Sequence, residues 1–498
     1  MPKLTRGPRK RGAARLIIHL LSPLVAAAVS FAGDAGDPPP EARARFWLTT
    51  EDLSIKLEEA PPLEVRKLDE GPADGAGIYL VDEQHKDQSI VGLGGSLEPS
   101  TCFNLSRLSP EDRARTIARI VDPDQGIGMN LMRICIGTPD FTGDPWYSYN
   151  DLPPGKTDPE LREFSIERDR AYILPVLREA RAANPALLFV ASPWSPPGWM
   201  KTTGSLIGGS LKPEFQASYA EYFARFILAY EAEGIPIHAV TVQNEPGVDR
   251  ALDPPRWHYP SCRWTAEQER DFIREHLGPT LRRHGLKTKI WCYDHNFNLK
   301  PGPTDPGLDY PRTILRDPQA AAFVAGVAVH GYEGSPRNLQ TLRREFPGVP
   351  VHFTEGSVFG LAGALRLIDI LRHGASSYNA WVLMLDEQGK PNNGPFAASR
   401  TMITLDPTTR SVTEHFDYYH YGHFMRFIHR GAHRVELTTK GDSRLASRAV
   451  AFLNPDNSLV VVIVNPTETD LTSNLLWRGN LVAPRLPGRS IATLRWQP

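Results

Sequence analysis

The chain has 498 residues, of which 41% are hydrophobic and 23% are charged. This length and composition support one large barrel or several ordinary domains, and they exclude a disordered or fibrous chain. The 56 basic and 57 acidic residues give a net charge of -1, whereas a protein that binds nucleic acid through its phosphates should be far more basic.

The first 32 residues have the pattern of a secretory signal peptide. A basic head over residues 3–15 precedes an apolar run over residues 16–32, which ends in small residues at Ser30 and Ala32. The alternative is a membrane anchor, but the run is short for a span and contains Pro23. We therefore expect a signal peptide over 1–32, a linker over 33–44, and a secreted or periplasmic protein with no stable membrane span once the signal is removed.

Short apolar runs alternate with amphipathic stretches between about residues 89 and 385, within an expected catalytic barrel domain over 89–430. Eight strand–helix units predict a (β/α)8 barrel. A doubly wound sheet is the alternative, and it is disfavoured because no G-x-G-x-x-G motif follows any strand. The predicted strands are 90–94, 130–136, 187–191, 238–242, 289–293, 324–330, 349–353 and 378–383. The predicted helices are 110–120, 167–183, 213–233, 266–284 and 361–372.

The two ends of the chain are rich in β-forming residues instead. Runs over 447–453 and 459–465 flank the turn Asn454-Pro455-Asp456-Asn457, which is typical of a β-hairpin. Further extended runs lie over 54–57, 77–81 and 489–496. We expect residues 45–88 and 431–498 to form one antiparallel β-sandwich beside the barrel.

The four cysteines fit no metal-binding spacing. Cys135 and Cys292 lie inside apolar runs, which favours buried free thiols, whereas a disulfide between Cys102 and Cys262 stays open. Asp294, His295 and His330 also lack a convincing ligand spacing. We therefore expect neither a metal nor another cofactor.

Two glutamates follow the fourth and seventh predicted strands, in Gln243-Asn244-Glu245-Pro246 and Thr354-Glu355-Gly356-Ser357. Reactive residues of such barrels lie at the C-terminal ends of the strands. Two facing carboxyl groups are the minimum for glycoside hydrolysis, one to protonate the leaving oxygen and one to attack or to activate water. A single glutamate would indicate only an exposed loop, but the pair predicts a glycoside hydrolase. A non-catalytic carbohydrate-binding protein on this fold is the alternative.

Asn244-Glu245-Pro246 together with a lone Glu355 resembles the retaining glycosidases of glycoside hydrolase family 30, and within it the glucosylceramidase type. The resemblance implies a barrel with a side β-sandwich and hydrolysis of a β-glucoside such as glucosylceramide by double displacement. β-1,6-Glucan or a β-xyloside is the alternative, so the expected partner is a small glycoside, a glycolipid or an oligosaccharide. The matching segments are 92–95, 126–130, 191–194, 268–273, 329–330, 421–424 and 487–493.

The resemblance also assigns roles. Glu355 is expected to be the nucleophile and Glu245 the general acid/base, with a raised pKa for Glu245 and carboxyl groups about 5–5.5 Å apart. Asn244 is expected to bond the sugar 2-hydroxyl, and Arg133 to keep Glu355 ionised. The other expected substrate contacts are Trp194, Trp381, Tyr332, His330 and Glu98.

The position after Glu98 departs from the family. Glucosylceramidase-type sequences carry there an aspartate that contacts distal sugar hydroxyls, whereas this chain has Pro99. Either Glu98 takes over this contact or the contact is missing, so the sugar stays open among glucose, galactose, xylose and a uronic acid.

Aromatic residues are concentrated in the loops after the second and fourth strands. They are equally consistent with stacking on an aglycone or a second sugar and with packing of long loops against the barrel. These residues are Trp146, Tyr147, Tyr149, Trp257, Tyr259 and Trp264.

Overall fold

The computed structural model describes residues 44–67, 77–398 and 400–497. The expected signal peptide over 1–32 and the linker, apart from its last residue, lie outside this part of the chain. Among the described residues, no helix combines the length and the apolar character that crossing a membrane requires.

Eight parallel strands form the barrel, as the sequence predicts. Each strand lies beside its sequence neighbours, in the spatial order first, eighth, seventh, sixth, fifth, fourth, third and second. A bridge between Ser96 and Arg133 brings the first and second strands together, and the Leu97 amide donates to the Arg133 carbonyl at 2.8 Å. The barrel strands are Gly92–Gly95, Leu131–Ile136, Leu188–Pro193, Ile237–Thr241, Lys289–Phe297, Val324–Gly334, Val351–Glu355 and Ala375–Ala380.

The glycines of the first strand allow this closure. A Cβ atom at Gly94 would lie 2.0 Å from the Leu131 carbonyl oxygen, so only glycine fits where the first and second strands meet. The Gly-Leu-Gly-Gly sequence is therefore explained by packing within the barrel rather than by binding of a phosphate.

Helices surround the barrel, and five of them were not predicted. Three of these five helices contain proline. In another, Phe416–Met425, every residue is buried, so the helix has no polar face and no amphipathic period. The predicted helix over 266–284 is interrupted by a π-helical turn at Ile273–Leu277. The helices are Pro99–Ser106, Pro110–Val121, Ile173–Ala183, Gln216–Ala232, Ala266–Phe272, Gly278–Arg283, Asp309–Leu315, Pro318–Ala321, Arg337–Glu345, Gly360–Arg372 and Phe416–Met425.

Both chain ends contribute to one curled ten-stranded sheet, which confirms the predicted β-sandwich domain. The sheet is mixed rather than purely antiparallel, because Asn474–Trp477 pairs in parallel with Ile78–Ser89. In spatial order its strands are Lys56–Leu63, Ala44–Thr50, Ser490–Trp496, Leu459–Asn465, Ala449–Leu453, His433–Lys440, Ile78–Ser89, Asn474–Trp477, Asn480–Val482 and Arg66–Lys67.

Helix Phe416–Met425 connects the barrel with this sheet. His423, which is fully buried, lies 2.8 Å from Thr49 Oγ1 and 2.9 Å from Thr493 Oγ1, so it joins one strand from each end of the chain. All four cysteines are buried free thiols, and the disulfide left open between Cys102 and Cys262 is not formed.

Candidate active site

A cavity of about 420 Å³ opens at the C-terminal ends of the barrel strands. It is lined by Glu245 and Glu355 together with aromatic side chains from several loops. A larger groove of about 710 Å³ lies elsewhere on the surface, but it contains neither Glu245 nor Glu355, and its Arg119 and Glu414 are paired with each other. The cavity at the barrel mouth is therefore the candidate active site.

The two predicted catalytic glutamates face each other across this cavity. One carboxylate oxygen of each, together with a ring nitrogen of His330, lies within a group whose members are no more than 4.8 Å apart. Retaining glycosidases hold their carboxyl groups about 5–5.5 Å apart, whereas inverting enzymes need roughly 6.5–9.5 Å to admit a water. The short separation matches the retaining arrangement.

Arg133 projects from the second strand into the base of the cavity, where its side chain is completely buried. Its guanidinium donates to Glu355 Oε2, and to Asn244 Oδ1 at 2.7 Å. Burial alone would lower the pKa of Arg133, but the carboxylates of Asp294 and Glu355 outweigh this effect and raise it. On its other oxygen, Glu355 accepts a bond of 2.8 Å from the Tyr332 hydroxyl. The carboxylate of Glu355 is thus held in one orientation by its two partners.

Asp294, on the fifth strand, is the anchor of this network, a role that its place in the sequence does not indicate. Its fully buried carboxylate accepts hydrogen bonds from side chains on five other strands. Burial would raise the pKa of Asp294, but Arg133 and His330 outweigh it and hold the pKa well below its usual range. The donors are Arg133 (2.9 Å), Ser192 (2.9 Å), Thr241 (2.7 Å), Thr354 (2.6 Å) and His330 (3.0 Å).

His330, at the sixth strand, lies between Asp294 and Glu245. Its Nδ1 is 3.4 Å from Glu245 Oε1. Burial lowers the pKa of His330, but the carboxylates of Glu355 and Asp294 more than offset this and raise it to about 10. The imidazole is therefore charged at neutral pH.

The expected raised pKa of Glu245 is wrong for the free protein. Burial does raise the pKa of this carboxyl, but the hydrogen bond with His330 and the positive charges nearby outweigh it, so the pKa is lowered. The physical reason is that the shared proton resides on the imidazole of His330, between two carboxylates, rather than on Glu245.

The backbone is strained at Glu245, which lines the cavity, and at the buried Asp294. Glu245 has φ of 50° and Asp294 has φ of 69°. Both values lie in the left-handed region, which residues other than glycine seldom adopt. The Glu245 amide donates to the Asp294 carbonyl at 3.0 Å, so each strained residue supports the other. Strain of this kind costs roughly 1–3 kcal/mol per residue and occurs mainly at functional sites.

Trp194 and Trp381 form an aromatic wall of the cavity. Their rings stack at a centroid distance of 5.2 Å, and the Arg133 guanidinium lies 5.0 Å from the centre of Trp194. Phe141 meets Trp381 edge-on at 6.0 Å. A sugar ring placed against this wall would present its C–H groups to an indole face.

The aromatic loop residues divide between the two interpretations. Tyr259 lines the cavity, and Trp257 packs against the cavity residue Phe396 at 5.7 Å. Tyr147, Tyr149 and Trp264 are instead buried in the main hydrophobic core.

Glu98 is not brought into the cavity. It is fully buried and caps helix Pro99–Ser106, where it accepts bonds from the Thr101 amide (3.0 Å) and hydroxyl (2.6 Å). Pro99 occupies the first turn, where a missing amide hydrogen costs nothing. Besides the two predicted glutamates, the acidic side chains that line the cavity are Asp140, in the loop after the second strand, and Glu333, at the end of the sixth.

Two groups of described residues place three potential metal ligands close together. The first comprises Glu245, His330 and Glu355. Since both ring nitrogens of the charged His330 face carboxylates, this imidazole has no lone pair to offer a metal. The second group lies on the surface and comprises Asp82, His85 and Glu436. The chemistry that the cavity itself supports is that of two carboxyl groups and an imidazolium.

Comparisons with known proteins agree with this geometry. Residues 90–428 match the Glycosyl hydrolase family 30 TIM-barrel domain, and residues 431–494 match the Glycosyl hydrolase family 30 beta sandwich domain. The chain is 31% identical to an endo-1,6-beta-D-glucanase of Neurospora crassa, over 81% of this chain and 86% of that protein. It is 30% identical to the lysosomal acid glucosylceramidase of Mus musculus, over 85% and 84%.

Solved structures show the same likeness. The structure of the endo-beta1,6-glucanase BT3312 superimposes with a TM-score of 0.81 at 27% identity, and it covers 91% of this chain and 100% of its own. The structure of SrfJ from Salmonella typhimurium gives a TM-score of 0.82 at 26% identity, over 92% and 100%. With both domains matched and the two carboxyl groups at the spacing of a double displacement, the chain belongs to glycosyl hydrolase family 30, as a retaining glycosidase.

Proposed function

We propose that the protein is a β-glucosidase acting on a glucosylceramide-like substrate, with Glu355 as nucleophile and Glu245 as general acid/base. The observation that carries this assignment is the pair of carboxylates within 4.8 Å, one of which is fixed by Arg133 and Tyr332. Glu355 attacks the anomeric carbon while Glu245 protonates the leaving oxygen. Glu245 then removes a proton from water, which attacks the glycosyl-enzyme and releases Glu355 as a carboxylate.

His330 supplies the proton that Glu245 needs. In the free protein this proton resides on the imidazole, whose Nδ1 lies 3.4 Å from Glu245 Oε1. Esterification of Glu355 removes one of the negative charges that raise the pKa of His330. Transfer from His330 to Glu245 therefore becomes more favourable as the first step proceeds, and the proton returns to the imidazole when water is deprotonated.

Asn244 is oriented to bind the substrate next to the reacting carbon. Its Oδ1 accepts from Arg133, which leaves the amide Nδ2 as a donor for the sugar 2-hydroxyl. A bond at this position strengthens as positive charge develops on the sugar ring, so it favours the transition state over bound substrate.

The rim of the cavity supports an apolar or stacking aglycone. Trp257 and Phe396 are 37% and 41% exposed, and the buried ring of Tyr259 packs against Phe396 at 5.9 Å. An exposed aromatic group of this kind suits the hydrocarbon next to the sugar of a glycolipid. β-1,6-Glucan is the second candidate, because relatives described as endo-1,6-β-glucanases match over most of this chain and because sugars also stack on aromatic rings.

The experiment is a set of aryl β-D-glycosides that differ only in the sugar, followed by glucosylceramide in detergent micelles and by β-1,6-glucan. Turnover of the aryl glucoside, abolished in Glu355→Gln and kept in Glu387→Gln, supports the assignment, because Glu387 is an exposed carboxylate outside the cavity lining. The β-anomer should be the first product seen by proton NMR. Activity that survives in Glu355→Gln, or initial release of the α-anomer, would refute the assignment. The comparison of glucosylceramide with β-1,6-glucan then decides which aglycone the protein accepts.

A further inference from the structure

Arg250 is a cation in the cavity wall that the reaction described above does not use. It belongs to the loop that follows Glu245 at the end of the fourth strand, and its side chain is only 15% exposed. The guanidinium lies between two aromatic rings, 4.7 Å from the centre of Tyr259 and 5.4 Å from the centre of Phe396. Because the face of an aromatic ring attracts a cation, both rings stabilise the charge in this position.

The two arms of the guanidinium have separate partners. Nη1 donates to Asp253 Oδ2 at 2.8 Å, within the same loop, and the Arg250 amide donates to Ser261 Oγ at 3.2 Å. Nη2 donates to the hydroxyl of Tyr259 at 2.9 Å. One arm therefore anchors Arg250 in its own loop, and the other fixes the hydroxyl group of Tyr259.

Tyr259 connects Arg250 with Glu245. Since its hydroxyl oxygen accepts from Arg250, its hydrogen is free for another acceptor, and Glu245 Oε2 lies 3.5 Å away. Catalytic hydrogen bonds are often this long in a free protein and shorten in the reacting complex. Burial, followed by the carboxylate of Glu245, raises the pKa of Tyr259 well above its usual range, so the hydroxyl keeps its hydrogen.

The carboxyl group of Glu245 thus has a different partner at each oxygen. Oε1 faces Nδ1 of His330 at 3.4 Å, whereas Oε2 faces the hydroxyl of Tyr259. Rotation of the carboxyl group about its Cγ–Cδ bond would break both contacts. Proton transfer requires the acid to be within hydrogen-bond reach of the reacting oxygen and aligned with it, so a fixed carboxyl group favours it.

We propose that Arg250, acting through Tyr259, orients the carboxyl group of Glu245 for proton transfer. The proposal rests on the proposed function, because it requires Glu245 to be the general acid/base. Arg250 and Tyr259 are positioning residues in this proposal, since neither exchanges a proton with the substrate. Their loss should impair protonation of the leaving oxygen and should leave the attack by Glu355 intact.

The test compares two β-D-glucosides in the full-length protein, one with a dinitrophenyl and one with a phenyl leaving group. Dinitrophenolate leaves without protonation, whereas phenol needs a general acid. Tyr259→Phe, which removes only the hydroxyl, should lower kcat/KM about 10-fold on the phenyl glucoside and less than about twofold on the dinitrophenyl glucoside. Arg250→Met should show the same dependence on the leaving group. The double variant should be no slower than Tyr259→Phe, because both changes remove one contact.

Arg263→Met is the matched control, since Arg263 is an exposed arginine of the same loop outside the cavity lining. It should keep kcat/KM on both glucosides, and thermal unfolding shows whether each variant is folded. A merely structural role would lower kcat/KM equally on the two glucosides. That result in folded Tyr259→Phe, or unchanged values on both, would overturn the proposal. Additive losses in the double variant would show that Arg250 does not act through Tyr259.

Glu245→Ala separates this proposal from the proposed function. Azide attacks the anomeric carbon of the glycosyl-enzyme without a general base, forms a glycosyl azide and releases Glu355. It should therefore restore turnover of the dinitrophenyl glucoside by Glu245→Ala. If azide restores turnover and Tyr259→Phe treats the two glucosides alike, only the role of Arg250 and Tyr259 is wrong. If azide has no effect, the acid/base role of Glu245 is wrong, and this proposal is overturned with it.

Discussion

Replacing His330 by glutamine should change how the stability of the protein depends on pH. The imidazole is completely buried, and its pKa rises from the usual 6.5 to about 10 in the folded protein. A group whose pKa is higher in the folded than in the unfolded state contributes its full stabilisation at pH values below its unfolded-state pKa. This contribution is lost as the pH rises through the folded pKa. The stabilisation by His330 should therefore decline between about pH 6.5 and pH 10.

The size of the effect follows from the same two values. Each tenfold change in proton affinity is worth about 1.4 kcal/mol, so the rise from 6.5 to about 10 corresponds to about 5 kcal/mol. Its source is structural, since His330 Nε2 lies 3.0 Å from Asp294 Oδ1 and Nδ1 lies 3.4 Å from Glu245 Oε1. Glutamine can still form hydrogen bonds there but carries no charge, so the variant should lack this pH dependence.

The assay is chemical denaturation of both proteins at several values between pH 6 and pH 10. Other buried groups titrate in this window, including Asp140 and Glu269, whose pKa values burial raises to about 8. They are present in both proteins, so the difference between the two stability curves reports the charge of His330 and its effect on the carboxyl groups that it contacts, Glu245 and Asp294. We expect this difference to change by about 5 kcal/mol across the window. Parallel curves would show that His330 is neutral, which would contradict the proposal that His330 supplies the proton to Glu245.

Two further predictions address the network and the barrel. Asp294→Asn should lower the free energy of unfolding by about 3–5 kcal/mol, because it leaves the buried Arg133 and His330 without a shared carboxylate. Asp309→Asn, a change at an exposed carboxylate, should have little effect in the same denaturation experiment. Gly94→Ala should destabilise by about 4 kcal/mol or more, because its Cβ would meet the Leu131 carbonyl, whereas Gly348→Ala, in open space, should unfold normally on heating. A stable Gly94→Ala protein would contradict the close approach of the first two strands.

The fold could be predicted from the sequence wherever a segment carries its own periodicity. All eight barrel strands and the hairpin over 449–453 and 459–465 are apolar runs bounded by turn residues, and each was found within a few residues of its predicted place. Helix Phe416–Met425 was missed because it is buried on all sides. Strand Ala44–Thr50 was also missed, since its position is set by pairing with Ser490–Trp496 at the other end of the chain.

The site was predictable to the extent that it depends on local sequence. Glu245 and Glu355 follow apolar runs that form barrel strands, so the sequence alone predicts their position at the same end of the barrel. Asp294 was not predictable, because its role is created by partners on five other strands, such as Ser192 and Thr354. The feature of the sequence that points to Asp294 is a charged residue inside an apolar strand.

Glu98 shows the opposite error. The sequence favours it as a sugar contact because it adjoins the position at which the resemblance to the family places an aspartate. Its carboxylate instead binds the Thr101 amide and hydroxyl at the start of the next helix, and it is fully buried there. Proline at position 99 fixes the helix start, so the carboxyl group just before it becomes a cap. Pro99 is also buried in that helix, so neither position 98 nor position 99 belongs to the cavity lining.

The charges around the cavity agree with a reaction that develops positive charge on a neutral sugar. In the free protein the carboxylates of Glu245, Glu355 and Asp294 outnumber the cations of Arg133 and His330 by one. An oxocarbenium-like transition state brings positive charge into this negative, largely dehydrated site, where fixed charges act more strongly than in water. Arg133 and His330 each contact Asp294 and one of the two glutamates, so the whole network leaves one net negative charge beside the sugar. The buried network that binds no substrate therefore determines where the transition state is stabilised.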